Sequence, residues 1–144
     1  MADQFCQFSC IFDVGTTANA VRANQLRRVL AAELDRDEGT FPGFEMAVDP
    51  ARGPGALWLH SDEDGDPDHV IRFVLSCAAA LDLQGVWGFT WGMSCSRLRL
   101  DAFGGGACVI DLGRRRTIGW VECSNGVIER TTQAAPAANG GEEG

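Results

Sequence analysis

The side chains from which nucleophilic or metal chemistry is ordinarily built are few in this 144-residue chain: His60, His69 and six cysteines, Cys6, Cys10, Cys77, Cys95, Cys108 and Cys123. Cys95 lies in Ser94-Cys95-Ser96-Arg97, where Arg97 and Arg99 would favour a thiolate. A cysteine nucleophile also needs a base, and no spacing brings either histidine beside it. Cys6 and Cys10 share one face of an alternating segment with Phe8 and Phe12, so buried thiols explain them better than a zinc or redox pair. The loop Asp62-Glu63-Asp64-Gly65-Asp66-Pro67-Asp68 carries carboxylates at alternate positions, as a calcium loop does. Pro67 stands where the sharp-turn glycine is needed and Phe73 where the bidentate glutamate is needed, which leaves a solvated acidic loop leading into a helix cap. No catalytic residue, cofactor or metal is assigned, and the chain reads more as a non-enzyme than as an enzyme.

Three further patterns carry weaker chemistry. Asp13-Val14-Gly15-Thr16-Thr17 resembles the first phosphate loop of sugar-kinase and actin-like ATPases, but that loop leads into a strand, whereas a helical pattern follows here. A capped strand-to-helix turn is the expectation. Gly104-Gly105-Gly106 precedes a strand and lacks the helix N-terminus that lets glycine-rich loops grip phosphate, so it reads as a flexible connection. Arg114-Arg115-Arg116 forms a compact positive point at a predicted hairpin tip, a candidate for partner contact.

The balance of charge narrows the partners. All 12 basic residues are arginine, and the formal net charge is −8. Residues 1 to 94 hold 14 acids against 6 arginines, while residues 95 to 130 hold 4 acids against 6 arginines. Such a surface lacks the basic footprint that DNA or an anionic membrane requires, so no direct DNA binding and no membrane binding are expected. A protein partner with a basic surface suits it better. The opening Met1-Ala2-Asp3-Gln4 has no basic segment before an apolar run, and no apolar stretch approaches membrane length; a cytoplasmic location with free thiols is therefore expected.

The elements that must position these residues follow from periodicity. Residues 5 to 14 alternate as a half-buried strand, with Cys6, Phe8, Cys10 and Phe12 on one face. A helix to about residue 35 follows, presenting Ala23, Leu26, Val29, Leu30 and Leu34 together. Strands at 44 to 48 and 56 to 61 flank the turn-rich residues 49 to 55. Asp66 as N-cap and Pro67 at the first helical position open a second helix to about residue 83. Residues 86 to 93 form a strand, and 107 to 112 with 117 to 123 a hairpin. The order β-α-β-β-α-β predicts an α+β fold: a ferredoxin-like split sheet with helices on one face, extended by a C-terminal β-hairpin. The domain spans residues 1–130; residues 131–144, rich in Ala, Gly and Glu, form a disordered acidic tail. Cys6, Phe8, Phe12, Leu30, Val74, Leu81 and Phe89 should meet in one core. The face opposite the helices should carry Gln7, Ser9, Glu45, Trp58, His60 and Thr90, a candidate ligand face.

Trp87-Gly88-Phe89-Thr90-Trp91, then Cys95-Ser96, then Asp101-Ala102-Phe103-Gly104-Gly105-Gly106-Ala107 and Asp111-Leu112 together resemble small proteins of bacterial plasmids and integrative elements. The resemblance covers about the C-terminal third and transfers no catalytic residue. It implies accessory work of a mobile genetic element in its conflict with a host. Joined to the acidity, it gives the expected function: a non-enzymatic interaction protein that inhibits a host nucleic-acid-binding or defence complex, with Asp62, Glu63, Asp64 and the three arginines 114 to 116 touching the partner. The alternative is a small enzyme or ligand-binding domain using the open sheet face around His60.

Overall fold

Alternation at the start of the chain produces β1 (Gln4–Asp13), the strand from which the rest of the sheet is hung. The structure is a computed structural model that describes residues 4–95, 104–124 and 127–131. Along its second half β1 pairs with β3 (Ala56–Ser61), from Phe8 opposite Ser61 to Asp13 opposite Ala56. Along its first half it pairs with β4 (Val86–Cys95), from Gln4 opposite Cys95 to Gln7 opposite Gly92. The outer strands are β2 (Glu45–Val48), β5 (Gly104–Asp111), β6 (Arg116–Ser124) and β7 (Val127–Thr131). All pairings among them are antiparallel, and the order is β2-β3-β1-β4-β5-β6-β7.

The ladder between β1 and β4 stops at Gln7 and Gly92, so past that point the two halves of the sheet part. Trp87 reaches across the split, its indole Nε1–H donating to the Ile11 carbonyl at 2.9 Å. A part-buried backbone acceptor that a neighbouring strand would otherwise satisfy is met by a side chain instead.

Two helices cover one face. In α1 (Thr17–Glu38) the Thr16 Oγ1 accepts from the Asn19 N–H at 3.0 Å, and Gly39 ends the helix in the left-handed conformation, φ 65°. In α2 (Pro67–Leu81) the Asp66 Oδ1 accepts from the Asp68 N–H at 3.0 Å, with Pro67 where its missing N–H costs nothing. Both capped starts match the sequence expectation. Cys6, Phe8, Phe12, Leu30, Val74 and Phe89 are buried in one cluster, and Leu81 packs against it. Phe12, Phe44 and Phe73 are fully buried and meet ring to ring, with centroids 6.3 and 5.4 Å apart. Each such side chain is worth about 1.5–3 kcal/mol on burial. The Arg27 guanidinium lies 5.1 Å over the Phe44 ring and donates to the Phe44 carbonyl at 2.6 Å, clamping the entry to β2 against α1.

The α+β class and the open antiparallel sheet follow the expectation, but the sheet is longer than a four-stranded split sheet with a hairpin. β7 adds an edge strand that Asn125 and Gly126 separate from β6 in sequence. The three glycines expected as a loop are the start of β5, in register with Met93, Gly92 and Trp91. A Cβ on Gly106 would meet the Trp91 indole and one on Gly105 the backbone carbonyl of the same residue, so the bulk of Trp91 requires glycine at 106 and the close approach of backbone requires it at 105. Cys95, two residues past the end of the strand expected at 86 to 93, ends β4 opposite Gln4. Val29, expected in the core, is 54% exposed, because α1 turns Ala20, Ala23, Leu30 and Leu34 inward instead. The expected disordered tail lies, past Thr131, outside the described residues, as do Ser96, Arg97, Arg99 and residues 101 to 103 of the family-like segment. Among the described residues no helix is long and apolar enough to cross a membrane.

Candidate functional site

The face turned away from the helices is organised by strand register. Ser9, His60 and Glu45 sit side by side across β1, β3 and β2, and the next row holds Ile11, Trp58 and Ala47. Residues directly opposite in antiparallel strands point to the same side, so these rows project together. Of the six candidate ligand residues, Ser9, Glu45, Trp58 and His60 form one group. Gln7 stands where the β1–β4 ladder ends, and Thr90, opposite Ala107, lies beyond the split, where it lines a separate concavity with Ser9.

Trp58 and His60 stack face to face, ring centroids 3.8 Å apart and planes 23° apart. The Trp58 Nε1–H donates to the Ser9 Oγ at 2.7 Å, which fixes the indole's rotation while 40% of the residue stays exposed. The stacked pair is a ridge with a concavity on each side. On the His60 side, a cavity of about 530 Å3 is bounded by Phe41, Glu45, Asp62, Glu63 and Asp64. On the Trp58 side, one of about 500 Å3 is bounded by Ser9, Ile11, Asp49 and Arg52.

The acidic loop is held in place by its backbone. The Cys6 N–H donates to the Glu63 carbonyl at 2.7 Å, and the Gly65 N–H donates to the Cys6 carbonyl at 3.1 Å. A Cβ on Gly65 would strike the Phe8 ring and the Cys6 carbonyl, so close approach to β1 requires glycine there. Asp62, Glu63 and Asp64 are exposed, and among the described residues neither they nor Glu45 form an ion pair. Among the described residues no three His, Cys, Asp or Glu side chains are placed to hold a metal ion.

The chain matches no family model, no curated protein and no solved structure.

The second histidine is used differently. His69 is buried; its Nδ1 accepts from the Gly43 N–H at 2.9 Å, which leaves the proton on Nε2, 3.2 Å from Asp66 Oδ2. Glu38, whose Oε1 lies 3.9 Å from the same nitrogen, also takes Arg72 Nη1 at 3.1 Å. This histidine–carboxylate pair ties the end of α1 and the β2 approach to the start of α2. Asp13 and Thr16 of the phosphate-loop-like segment are likewise occupied by the backbone: Asp13 Oδ1 accepts from the Gly15 N–H at 2.7 Å, and Thr16 caps α1.

The arginine tip is only partly free. Arg115, at φ 60°, donates to Asp82 Oδ1 at 2.9 Å and to the Ala78 carbonyl at 3.4 Å, neutralising the C-terminal end of α2. Arg114 stays near Asp111, at 3.8 Å, and is exposed, as is Arg116. The acidic loop precedes α2 and the arginine tip closes on its far end, which sets the two expected partner-binding groups about 22 Å apart along the helix. They are opposite poles, not one site. Asp49 and Arg52, which wall the Trp58 cavity, were missed in sequence; the β2–β3 turn gave no sign that it folds beside the indole.

Proposed function

We propose that this protein is a non-enzymatic interaction protein whose acidic pole binds a basic partner surface. The observation that carries the proposal is the single concavity in which Glu45, Asp62, Glu63 and Asp64 surround His60, beneath a Phe41 that is 81% exposed. Four carboxylates with no described counter-ion leave a concentrated negative field, and the aromatic rim supplies the apolar anchor that interfaces favour. A nucleic-acid-binding complex presents the complementary basic channel. With the resemblance to small proteins of plasmids and integrative elements, this supports an inhibitor of a host nucleic-acid-binding or defence complex. The consecutive run β4-β1-β3-β2 within the sheet supports reading the first 95 residues as a ferredoxin-like core carrying a three-strand extension.

The test replaces Asp62→Asn, Glu63→Gln and Asp64→Asn together, leaving the Asp66 cap intact. Stability should stay within about 1 kcal/mol of the parent, as surface changes usually do. Binding to an immobilised arginine-rich peptide, measured over a salt series, should weaken and lose part of its salt dependence. Undiminished affinity with the same salt slope would remove the acidic pole from the mechanism.

A further inference from the structure

The geometry points to a second binding site, on the Trp58 side of the aromatic ridge, that accepts a neutral sugar ring. Trp58 is held on one face by the His60 ring at 3.8 Å and along its edge by Ser9 at 2.7 Å, so the indole cannot fold down onto the sheet. Trp58, but not His60, lines the cavity of about 500 Å3, within the size range of small-ligand sites. The facing wall is the β2–β3 turn, where Arg52 Nε lies 3.1 Å from Asp49 Oδ2 and that side chain remains exposed. The turn is built, not loose: Asp49 N–H donates to the Ala56 carbonyl at 2.9 Å, and Arg52 N–H to the Asp49 carbonyl at 3.1 Å.

Each part selects the same chemistry. A fixed indole face offers an apolar plane for a ring's C–H face, an amphipathic use of tryptophan. Opposite it stands a coupled acceptor and donor, Asp49 carboxylate and Arg52 guanidinium, that matches adjacent hydroxyls, each of which both accepts and donates. Ser9, whose oxygen already accepts from Trp58, keeps its O–H as a further donor. The Asp49–Arg52 pair is neutral in sum, so the cavity demands no charge of its ligand. The chain's net −8 and the exposed Asp13 beside this turn disfavour a phosphate. A neutral saccharide satisfies all of these, whereas a nucleotide would stack but bring an anion into an acidic field.

The site does not depend on the acidic pole, and the experiment separates the two. The full chain is titrated with a panel of neutral disaccharides, maltose, cellobiose and lactose, and with adenosine and adenosine monophosphate, followed by calorimetry and saturation-transfer NMR. At least one disaccharide should bind. Trp58→Ala should weaken that binding at least about tenfold, Trp58→Phe less, and Asp49→Asn should weaken it with the indole intact; far-UV circular dichroism confirms the fold of each. The Asp62, Glu63 and Asp64 triple variant should bind the sugar as the parent does. No binding of any disaccharide, binding unaffected by Trp58→Ala, or binding of adenosine in place of sugars each overturns the proposal.

Discussion

The thiols of Cys10, which is half-buried, and Cys77, which is buried, are each pushed up to about 12, and that of Cys108 to about 11; desolvation by the surrounding protein is the leading cause, with Asp68 adding to it at Cys108. Cys6 moves the same way, through burial and then Asp66. These four are free, and such thiols stay protonated near neutrality, which suits core packing and not thiolate chemistry. The chain has no tyrosine and no lysine, so among side chains only cysteines titrate between pH 9 and 12. A thiol with a raised folded pKa leaves stability whole below its unfolded pKa and withdraws it as pH rises towards the folded value. Stability should therefore fall across that window, by about 1.4 kcal/mol per pH unit for each thiol kept protonated. Urea unfolding in reducing buffer at several alkaline pH values should give this slope, and Cys10→Ala with Cys77→Ala should flatten it; an unchanged slope would clear both thiols. Residue chemistry was unevenly legible. Alternation placed Phe8, Cys10 and Phe12 correctly, and the spacing of two between Trp58 and His60 put them on one face. Their stacking was not legible, because it depends on side-chain rotation and on Ser9, which lies 49 residues away.

At the scale of the element, glycine misled the reading most. Three in a row look like a loop from propensity alone, yet Gly105 and Gly106 are strand residues, and the missing side chain of Gly106 makes room for the indole of Trp91 fifteen residues earlier. Gly92, the partner of Gly105 across the ladder, has nothing within 4 Å of where its Cβ would stand. Gly106→Ala should therefore destabilise by about 1–3 kcal/mol through overpacking, whereas Gly92→Ala should be near neutral. Chemical denaturation of both variants checks the contrast, and equal losses would mean that contact with the tryptophan does not set the requirement for glycine at 106. The helices were legible because their signals are local: Thr16, Gly39, Asp66 and Pro67 each act within a turn or two of their own position. β7 was missed because Val127–Thr131 is short and acquires its identity only by pairing with β6.

Across the whole molecule the charge count by segment anticipated two poles, and α2 supplies the axis between them. What the count left open is that Arg115 closes the end of α2 while Asp62, Glu63 and Asp64 line a cavity with His60 and Glu45. The position of β1 has a different consequence. Its first half belongs to the β4 side of the sheet and its second half to the β3 side, so this one strand is the seam that joins the two halves. Tension applied between Gln4 and Thr131 loads the β7 edge, where pairs such as Trp120 with Thr131 open one at a time, as a zip does. β6 and β5 then peel in turn, while β1, β2, β3 and the two helices stay packed around Phe12 and Phe73. Optical-tweezers traces should show a low-force release of the last three strands before a second, higher-force rupture of the helix-backed body. A single rupture would mean that the two halves of the sheet share one mechanical unit despite the split between β1 and β4.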